Sequence, residues 1–488
     1  MTTAPETVRP EIVSATRNRG VIITLLVAAF VMILNETIMG VALPKLMISL
    51  SIPASTAQWL TTAFLLTMAV VIPTTGFLLQ RLSTRTIFLA AMTLFSTGTL
   101  LAGLSSGFLM LLVARIIQAS GTAVMLPLLM TTILTLTPLE KRGGVMGNVS
   151  IVISVAPAIG PTLSGLILQY LSWRFMFLLV LPVALAALVY GAFRLVNVNE
   201  PGNQRLDVLS VALSIPAFGG IVFGLSRIGE AHTSGALAVA ITSLVVGVVC
   251  LLLFGWRQVA LQKSGFPLLD LRVFQFPMFR FGVALLAIIM MGLFGVIILL
   301  PIYLQNVRGL ESLATGLLLL PGGLLMGLLA PTVGKLFDRH GPKVLAITGA
   351  VLLTLTLWRL SAVTSTTPVW FLLMLHVVLS IGLACLFTPA FTTALNPLPP
   401  HLYSHGSATL TTLQQVAGAA GTALLVTVLT ARSLTAAADG AAPAAAQSVG
   451  LHSAFLVAAG FGVVAIVLAA FLRSPRGDEQ GAPMQAMH

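Results

Sequence analysis

The 488 residues are 57% hydrophobic and only 8% charged, with a mean hydropathy of +1.05, whereas a soluble domain carries about a quarter charged residues. Most of the chain therefore belongs in a bilayer. The formal charge of +12 does not mark a nucleic-acid binder, because that reading needs a solvated basic face.

Crossing about 30 Å of hydrocarbon takes roughly 20 apolar residues in a helix whose backbone bonds are all internal. The polar tail 1–19 comes first, and no cleavable signal is expected after it, because the apolar run that follows is too long. Six apolar runs lie near 20–43, 57–79, 86–104, 107–134, 143–169 and 173–193. Two more lie near 208–226 and 236–256, and six again near 279–304, 312–334, 343–361, 368–395, 406–430 and 452–472. The pattern predicts an all-α integral membrane protein of 14 transmembrane helices. It divides into a six-helix half (20–200), a two-helix insertion with its loops (201–275), a second six-helix half (276–472) and a tail (473–488).

An even number of spans puts both termini on one side. Alternating the loops places 18 of the 25 cationic residues on that side, Arg9, Arg205 and Arg476 among them, and 6 on the other, with Arg115 inside a span. Lys and Arg are retained on the cytoplasmic side, so both termini are expected in the cytoplasm. Cys250 and Cys385 fall in apolar spans and provide no disulfide framework. The histidines form no metal-ligand set, and P-loop and HExxH motifs are missing. No metal, cofactor or enzymatic chemistry is expected.

The first span contains MILNETIMGVALP (Met32–Pro44), with Asn35 and Glu36 adjacent. Of thirteen acids only Glu36 lies deep in a span, the others falling in tails, loops or span ends. Glu36 is about seven residues from the far end of the first span and Arg115 about eight from that of the fourth, so their depths match at 1.5 Å per residue. Desolvation favours a protonated carboxyl and a nearby guanidinium favours the carboxylate, so movement between such surroundings loads and releases a proton. A purely structural Glu36–Arg115 pair is the alternative. Asn35 can hydrogen-bond but cannot carry the proton.

The halves repeat. GFLLQRLSTR (Gly76–Arg85) matches GKLFDRHGPK (Gly334–Lys343) at an offset of 258, and Leu111–Leu134 matches Leu372–Leu395 at an offset of 261. Parallel repeats place a substrate site near the midplane between the halves, reached from either side by rocking.

These motifs resemble the major facilitator superfamily, specifically its 14-span drug:proton antiporters of the EmrB and QacA type, and LNETIMGVALP with LYSHGSATLTTLQQVAGAAGTALL (Leu402–Leu425) is similar to the LmrB-like branch. The family's loop motif G-x-L-x-D-R-x-G-R-K is met by Gly334, Leu336, Asp338, Arg339, Gly341 and Lys343. The first copy keeps Gly76, Leu78, Arg81 and Arg85 but has Gln80 and Ser83 for the acid and glycine. The resemblance implies that these charges clamp helix ends, and the first copy's missing acid puts its clamp in doubt. Arg115, Gln118 and Gly121 match the fourth-span R-x-x-Q-G-x-G pattern, with Ala119 for a glycine. Pro157, Gly160, Pro161 and Gly165 resemble the fifth-span signature of exporters, where a bent, closely packed helix is expected. Many relatives carry the membrane acid at the position of Asn35, one residue and about 100° away from Glu36.

Met32 and Met39 share a helical face with Glu36 and give a soft wall suited to permissive recognition. Met125, Met290 and Phe294 are further candidates, as are Gln414 and Gln415, of which one is expected at the cavity and the other at a helix contact. The expected function is proton-gradient-driven antiport of amphipathic small molecules, cationic ones included, with export as the direction. A dedicated exporter of one metabolite, lipid or self-made antibiotic fits the same architecture. A non-transporting receptor or scaffold is the reading from another class. The lone deep acid and the missing soluble sensory domain weigh against it. The Ala-rich stretch from about Leu434 to Gly450 is expected as a flexible external loop, with an amphipathic hairpin as the alternative.

Overall fold

The computed structural model describes residues 10–198, 202, 206–228, 234–263 and 267–473. Residues 1–9, the C-terminal tail after Arg473, and with them Arg9, Arg205 and Arg476, lie outside the described residues. Among the described residues, fourteen helices are long and apolar enough to cross a membrane. The first six are α1 (Pro10–Leu50), α2 (Trp59–Arg81), α3 (Thr84–Gly103), α4 (Phe108–Leu136), α5 (Arg142–Tyr170) and α6 (Phe175–Arg194). The inserted pair is α7 (Val208–Ile228) and α8 (Ser234–Gln262). The last six are α9 (Pro277–Ile302), α10 (Ser312–His340), α11 (Pro342–Leu360), α12 (Val369–Leu395), α13 (Tyr403–Ala438) and α14 (Pro443–Ala470).

Two expectations are corrected. Helix α1 already runs from Pro10, so the second half of the predicted tail is helical, and it continues to Leu50 beyond the predicted span. The Ala-rich stretch near 434–450 is not a loop: α13 continues to Ala438 and α14 begins at Pro443. Alanine is the strongest helix former, so low hydropathy there marked emergence from the apolar layer without ending the helix. The turn between them uses Gly440 at φ +89°, and proline opens α14 as it opens α9 and α11, where its missing N–H costs nothing.

The turn after the loop motif is built differently in the two halves. Gly341 turns at φ +77° between α10 and α11, a conformation that favours glycine. Between α2 and α3, Ser83 is extended and its hydroxyl caps the Thr86 N–H. A polar cap thus replaces the left-handed glycine without loss of the turn.

Helices α5 and α10 form the main seam between the halves, and glycines line it. A Cβ at Gly147 would stand 2.5 Å from the Ala330 carbonyl oxygen, and one at Gly323, Gly327 or Gly334 would strike Ala158, Val155 or the Gly143 carbonyl. Positions 316, 323, 327 and 334 recur on one helical stripe, so backbones approach along the whole contact. The pseudo-symmetric seam of α2 and α13 carries the insertion on its flank. There Phe218, Val222 and Phe254 pack with Ala69 and Phe77 of α2 and Ala408 of α13, and Trp59 stacks on Phe223.

Asp207 ties the two inserted helices to each other, and Asp270 orders the loop that follows them. Asp207 caps Ser210 and takes two 2.7 Å bonds from Arg257. Arg257 and Ser210 hold its carboxyl down at about 2, so the contact persists above the ordinary carboxylate range and is lost as pH falls through about 2. Burial pushes Asp270 up, but its bonds from Arg272 outweigh that and leave its carboxyl below the usual range.

The α5–α10 seam yields a stability test. Gly147→Val overpacks against Ala330 and is expected to cost about 1–3 kcal/mol, read as a lowered unfolding temperature in detergent. Gly460→Val, with nothing within 4 Å, is the control and leaves the transition unchanged. Equal transitions for both variants would remove the seam's close packing as a stabilising feature.

Candidate functional site

Arg115 is 1% exposed, and α4 points it into the centre of the first half. Its guanidinium donates to Asn35 Oδ1 (3.2 Å), Gln118 Oε1 (3.1 Å) and the Leu60 carbonyl (3.4 Å), and lies 4.1 Å from the ring centre of Phe64. Gln118 in turn donates to Thr99 Oγ1 at 2.8 Å. The i, i+3 spacing of Arg115 and Gln118 puts both on one face of α4, and Gly121 lets α4 meet the Ala91 carbonyl of α3. Four helices are knit around one charge.

The residue that bonds Arg115 is Asn35. Glu36 makes no direct ion pair with Arg115 among the described residues, but the two charges share one cavity and interact across it. The 100° step along α1 turns Asn35 inward and Glu36 to the wall of a cavity. That cavity, of about 420 Å³, lies between the halves and is walled by α1, α2, α4 and α5 on one side and α9 and α13 on the other. Its volume falls within the roughly 300–1,000 Å³ of small-molecule sites.

Met32, Met125, Met290, Phe294, Gln414 and Gln415 all line it, together with Pro157, Pro161, Glu36 and Arg115. Both glutamines face the space, although one was expected at a helix contact. Gln415 Nε2 lies 3.7 Å from Met68 Sδ, and Gln414 Nε2 is buried without a partner. Met39 does not line the cavity. It is 1% exposed in the core, because its i+3 position carries it past the cavity wall into the packing of α1. Gly160 permits α5 to rest on Thr37 of α1, where a Cβ would strike the threonine hydroxyl. At Gly165 the nearest atom to such a Cβ is Leu313 Cδ1 at 3.7 Å, so no close approach requires that glycine.

A second chamber of about 480 Å³ adjoins the first, sharing Thr37, Pro157, Pro161 and Leu293 and extending to His376 on α12. His376 occupies the position of Arg115 at the repeat offset. It reaches the Leu319 carbonyl through Nε2 at 3.0 Å, and its Nδ1 has no partner. The sequence offers the offset as the signal for this residue. Nothing in the sequence singled out Thr37, which touches both chambers.

The chain matches the model described as Major Facilitator Superfamily over residues 25–422. It is 42% identical to the lincomycin resistance protein LmrB of Bacillus subtilis (strain 168), over 94% of this chain and 96% of that protein. It belongs to the major facilitator superfamily. It is also 41% identical to the MFS-type transporter YcnB of the same organism, over 96% of this chain and 98% of that protein. The multidrug resistance protein B homolog of Mycobacterium tuberculosis (strain ATCC 25618 / H37Rv) is 28% identical over 85% of this chain and 76% of that protein. The fold is shared with the human organic anion transporter MFSD10, at a TM-score of 0.63 and 16% identity over 93% of this chain and 99% of that one.

As a major facilitator the chain is a transporter, and its loop motifs form contacts between the halves at the end of the bundle that carries the termini. Asp338 accepts from the Gly143 and Gly144 N–H groups, 2.9 Å each, at the start of α5, where the helix dipole favours a carboxylate. Arg142 caps the Leu134 and Thr137 carbonyls and donates to Tyr403 Oη at 2.8 Å. Ser150 pairs with Thr388 at 2.9 Å and Thr131 with Ser407 at 3.3 Å. In the first copy Gln80 donates to the His401 carbonyl at 3.1 Å, and Gly76 makes room for His405. Arg85 donates to the Ala192 carbonyl at 2.5 Å within its own half, Arg81 lies 6.0 Å from the Phe77 ring centre, and Arg339 is exposed. At this end the halves are therefore joined by Asp338, Arg142 and Gln80, while Arg85 bonds within its own half.

The division between Asn35 and Glu36 is testable by stability. Asn35→Leu removes a buried acceptor from Arg115 and is expected to cost about 1–3 kcal/mol, read as a lowered unfolding temperature. Glu36→Gln should leave that temperature within about 0.5 kcal/mol of wild type. The opposite ranking would show that Glu36, not Asn35, holds the arginine.

Proposed function

We propose that this transporter is a proton-coupled exporter of amphipathic small molecules, cationic ones included, in the inner membrane of a bacterial cell with both termini in the cytoplasm. The observation that carries the reading is Glu36: a lone carboxylate on the wall of a largely apolar cavity between the halves, beside a guanidinium that other groups already hold. Such a carboxylate is available to a proton or to a cationic compound, and one site serves both in turn. The names of the relatives support drug export and put lincomycin first on a substrate panel.

In this mechanism the cavity is loaded from the cytoplasmic side, the halves rock about the α5–α10 seam, and a proton arriving at Glu36 from outside displaces the substrate. The apolar and methionine-rich walls accept varied shapes. Gln414 and Gln415 supply hydrogen bonds, the first having an unpartnered amide. The proton gradient drives the cycle, and no cofactor takes part. Separation of the cytoplasmic ends requires breaking the Asp338, Arg142–Tyr403 and Gln80 bonds, which hold the described arrangement closed on that side.

Glu36→Gln is expected to reach the membrane, retain measurable substrate binding and lose export at least ten-fold in everted vesicles. Binding and protonation at one site must antagonise each other reciprocally, so lowering the pH should weaken drug binding to wild type in detergent, with the dependence flattened in Glu36→Gln. Full proton-driven export by the variant would move the coupling to another group, His376 first. Export that continues after the pH gradient and membrane potential are both abolished would end the secondary-transport reading.

A further inference from the structure

A groove of about 810 Å³ runs between α1 and α5 on the termini side, apart from the central chambers. The two helices touch at Thr37 and Gly160 toward the far side, and their termini-side ends leave this space between them and the end of α4. Its mouth carries Asn18, Arg19, Lys141 and Asn148, and its walls carry Ile22, Leu26 and Phe30 of α1 opposite Val145 and Val152 of α5. Arg19 and Lys141 are both exposed, and among the described residues no acidic side chain lines the groove, Glu140 standing beside Lys141 outside it. Ile23 and Val27, 49% and 44% exposed, leave it open toward the bilayer.

We propose that this groove binds one anionic phospholipid, with the phosphate between Arg19 and Lys141 and an acyl chain along α1. From Arg19 to Phe30 is eleven residues, about 16 Å of helix, which is close to one leaflet's share of a hydrocarbon core of about 30 Å. Two cations at an interface attract an anionic head group. They repel the cationic amphiphiles proposed for the central cavity, so charge separates the two sites. A free phosphate compound would use the mouth and leave the apolar walls uncovered, whereas a lipid satisfies both. Because α1 also carries Glu36 and α5 carries Pro157, a lipid held between them favours whichever arrangement keeps their termini-side ends apart.

The test uses the full-length purified protein in detergent, titrated with phosphatidylglycerol or with phosphatidylcholine of the same acyl chains and read by native mass spectrometry. One phosphatidylglycerol per chain should bind in preference to phosphatidylcholine. The double variant Arg19→Gln, Lys141→Gln should lose that preference at least ten-fold, while Arg339→Gln, an exposed cation elsewhere, should keep it. Leu26→Trp fills the groove with the charges intact and should also lower binding. Phosphatidylglycerol binding at the wild-type level in both the double and the Leu26→Trp variants, or no preference in wild type, would overturn the site. Displacement of the lipid by glycerol phosphate would overturn it as a lipid site. The readout does not involve transport, so it stands or falls separately from the exporter reading.

Discussion

A guanidinium placed in hydrocarbon has to be supplied with acceptors, and the first half of this transporter is organised by that requirement. Arg115 draws on α1 through Asn35, on α2 through the Leu60 carbonyl and Phe64, and on its own helix through Gln118. Gln118 extends the network to Thr99 of α3. Leaving any of these groups unpaired carries the full cost of a buried polar atom, so the relative placement of four helices is fixed by one side chain. In the second half the equivalent position holds His376 with a single carbonyl partner. The second half has no arginine at that position, and its polar share of the cavity wall comes from neutral side chains of α13, Gln414 and Gln415 among them.

The two seams between the halves are equally unlike. At α5 and α10, glycines bring backbones together over the full contact and Asp338 takes two N–H groups at a helix start. At α2 and α13 the corresponding bond joins the neutral Gln80 amide to a carbonyl. A bond to an ionised acceptor is roughly twice as strong as a neutral one, so the substitution of glutamine for the motif's acid weakens one of two related latches. The inserted helices pack against that weaker seam through Phe218, Val222 and Phe254. Their apolar contact supplies at the flank what the missing carboxylate does not supply at the end.

Much of this was legible in the sequence. Helix number and the paired halves follow from hydropathy and from offsets of 258 and 261, because the bilayer imposes one solution on every span. The depth of Glu36 and Arg115 could be counted residue by residue. What could not be counted was azimuth: the sequence could not decide whether Asn35 or Glu36 meets Arg115, since that depends on how α1 is rotated against α2 and α4. The same limit explains Met39, which shares a nominal face with Glu36 yet turns into the core, and Gln415, which was assigned no certain side. The Ala-rich turn was misread for a different reason. Hydropathy measures transfer into lipid, whereas helix formation outside it depends on propensity, and alanine scores high on the second.

The order of the two residues at 35 and 36 has a mechanistic consequence. A carboxylate at 35 would hold Arg115 and exchange a proton with the same atoms, so each protonation would remove a charge-assisted bond from the arginine and loosen the four-helix junction. A neutral amide at 35 keeps its bond to Arg115 whatever the pH, and the structural work is thereby separated from titration. In the proposed cycle Glu36, one residue along and facing the cavity, is then free to exchange partners without disturbing the packing behind it. A single carboxylate neutralises one proton or one cationic compound at a time, so exclusion between them follows from stoichiometry of charge rather than from a conformational signal. Coupling by that route places few demands on the shape of the substrate, and the surrounding methionines and phenylalanine, which recognise surface and not pattern, place few more.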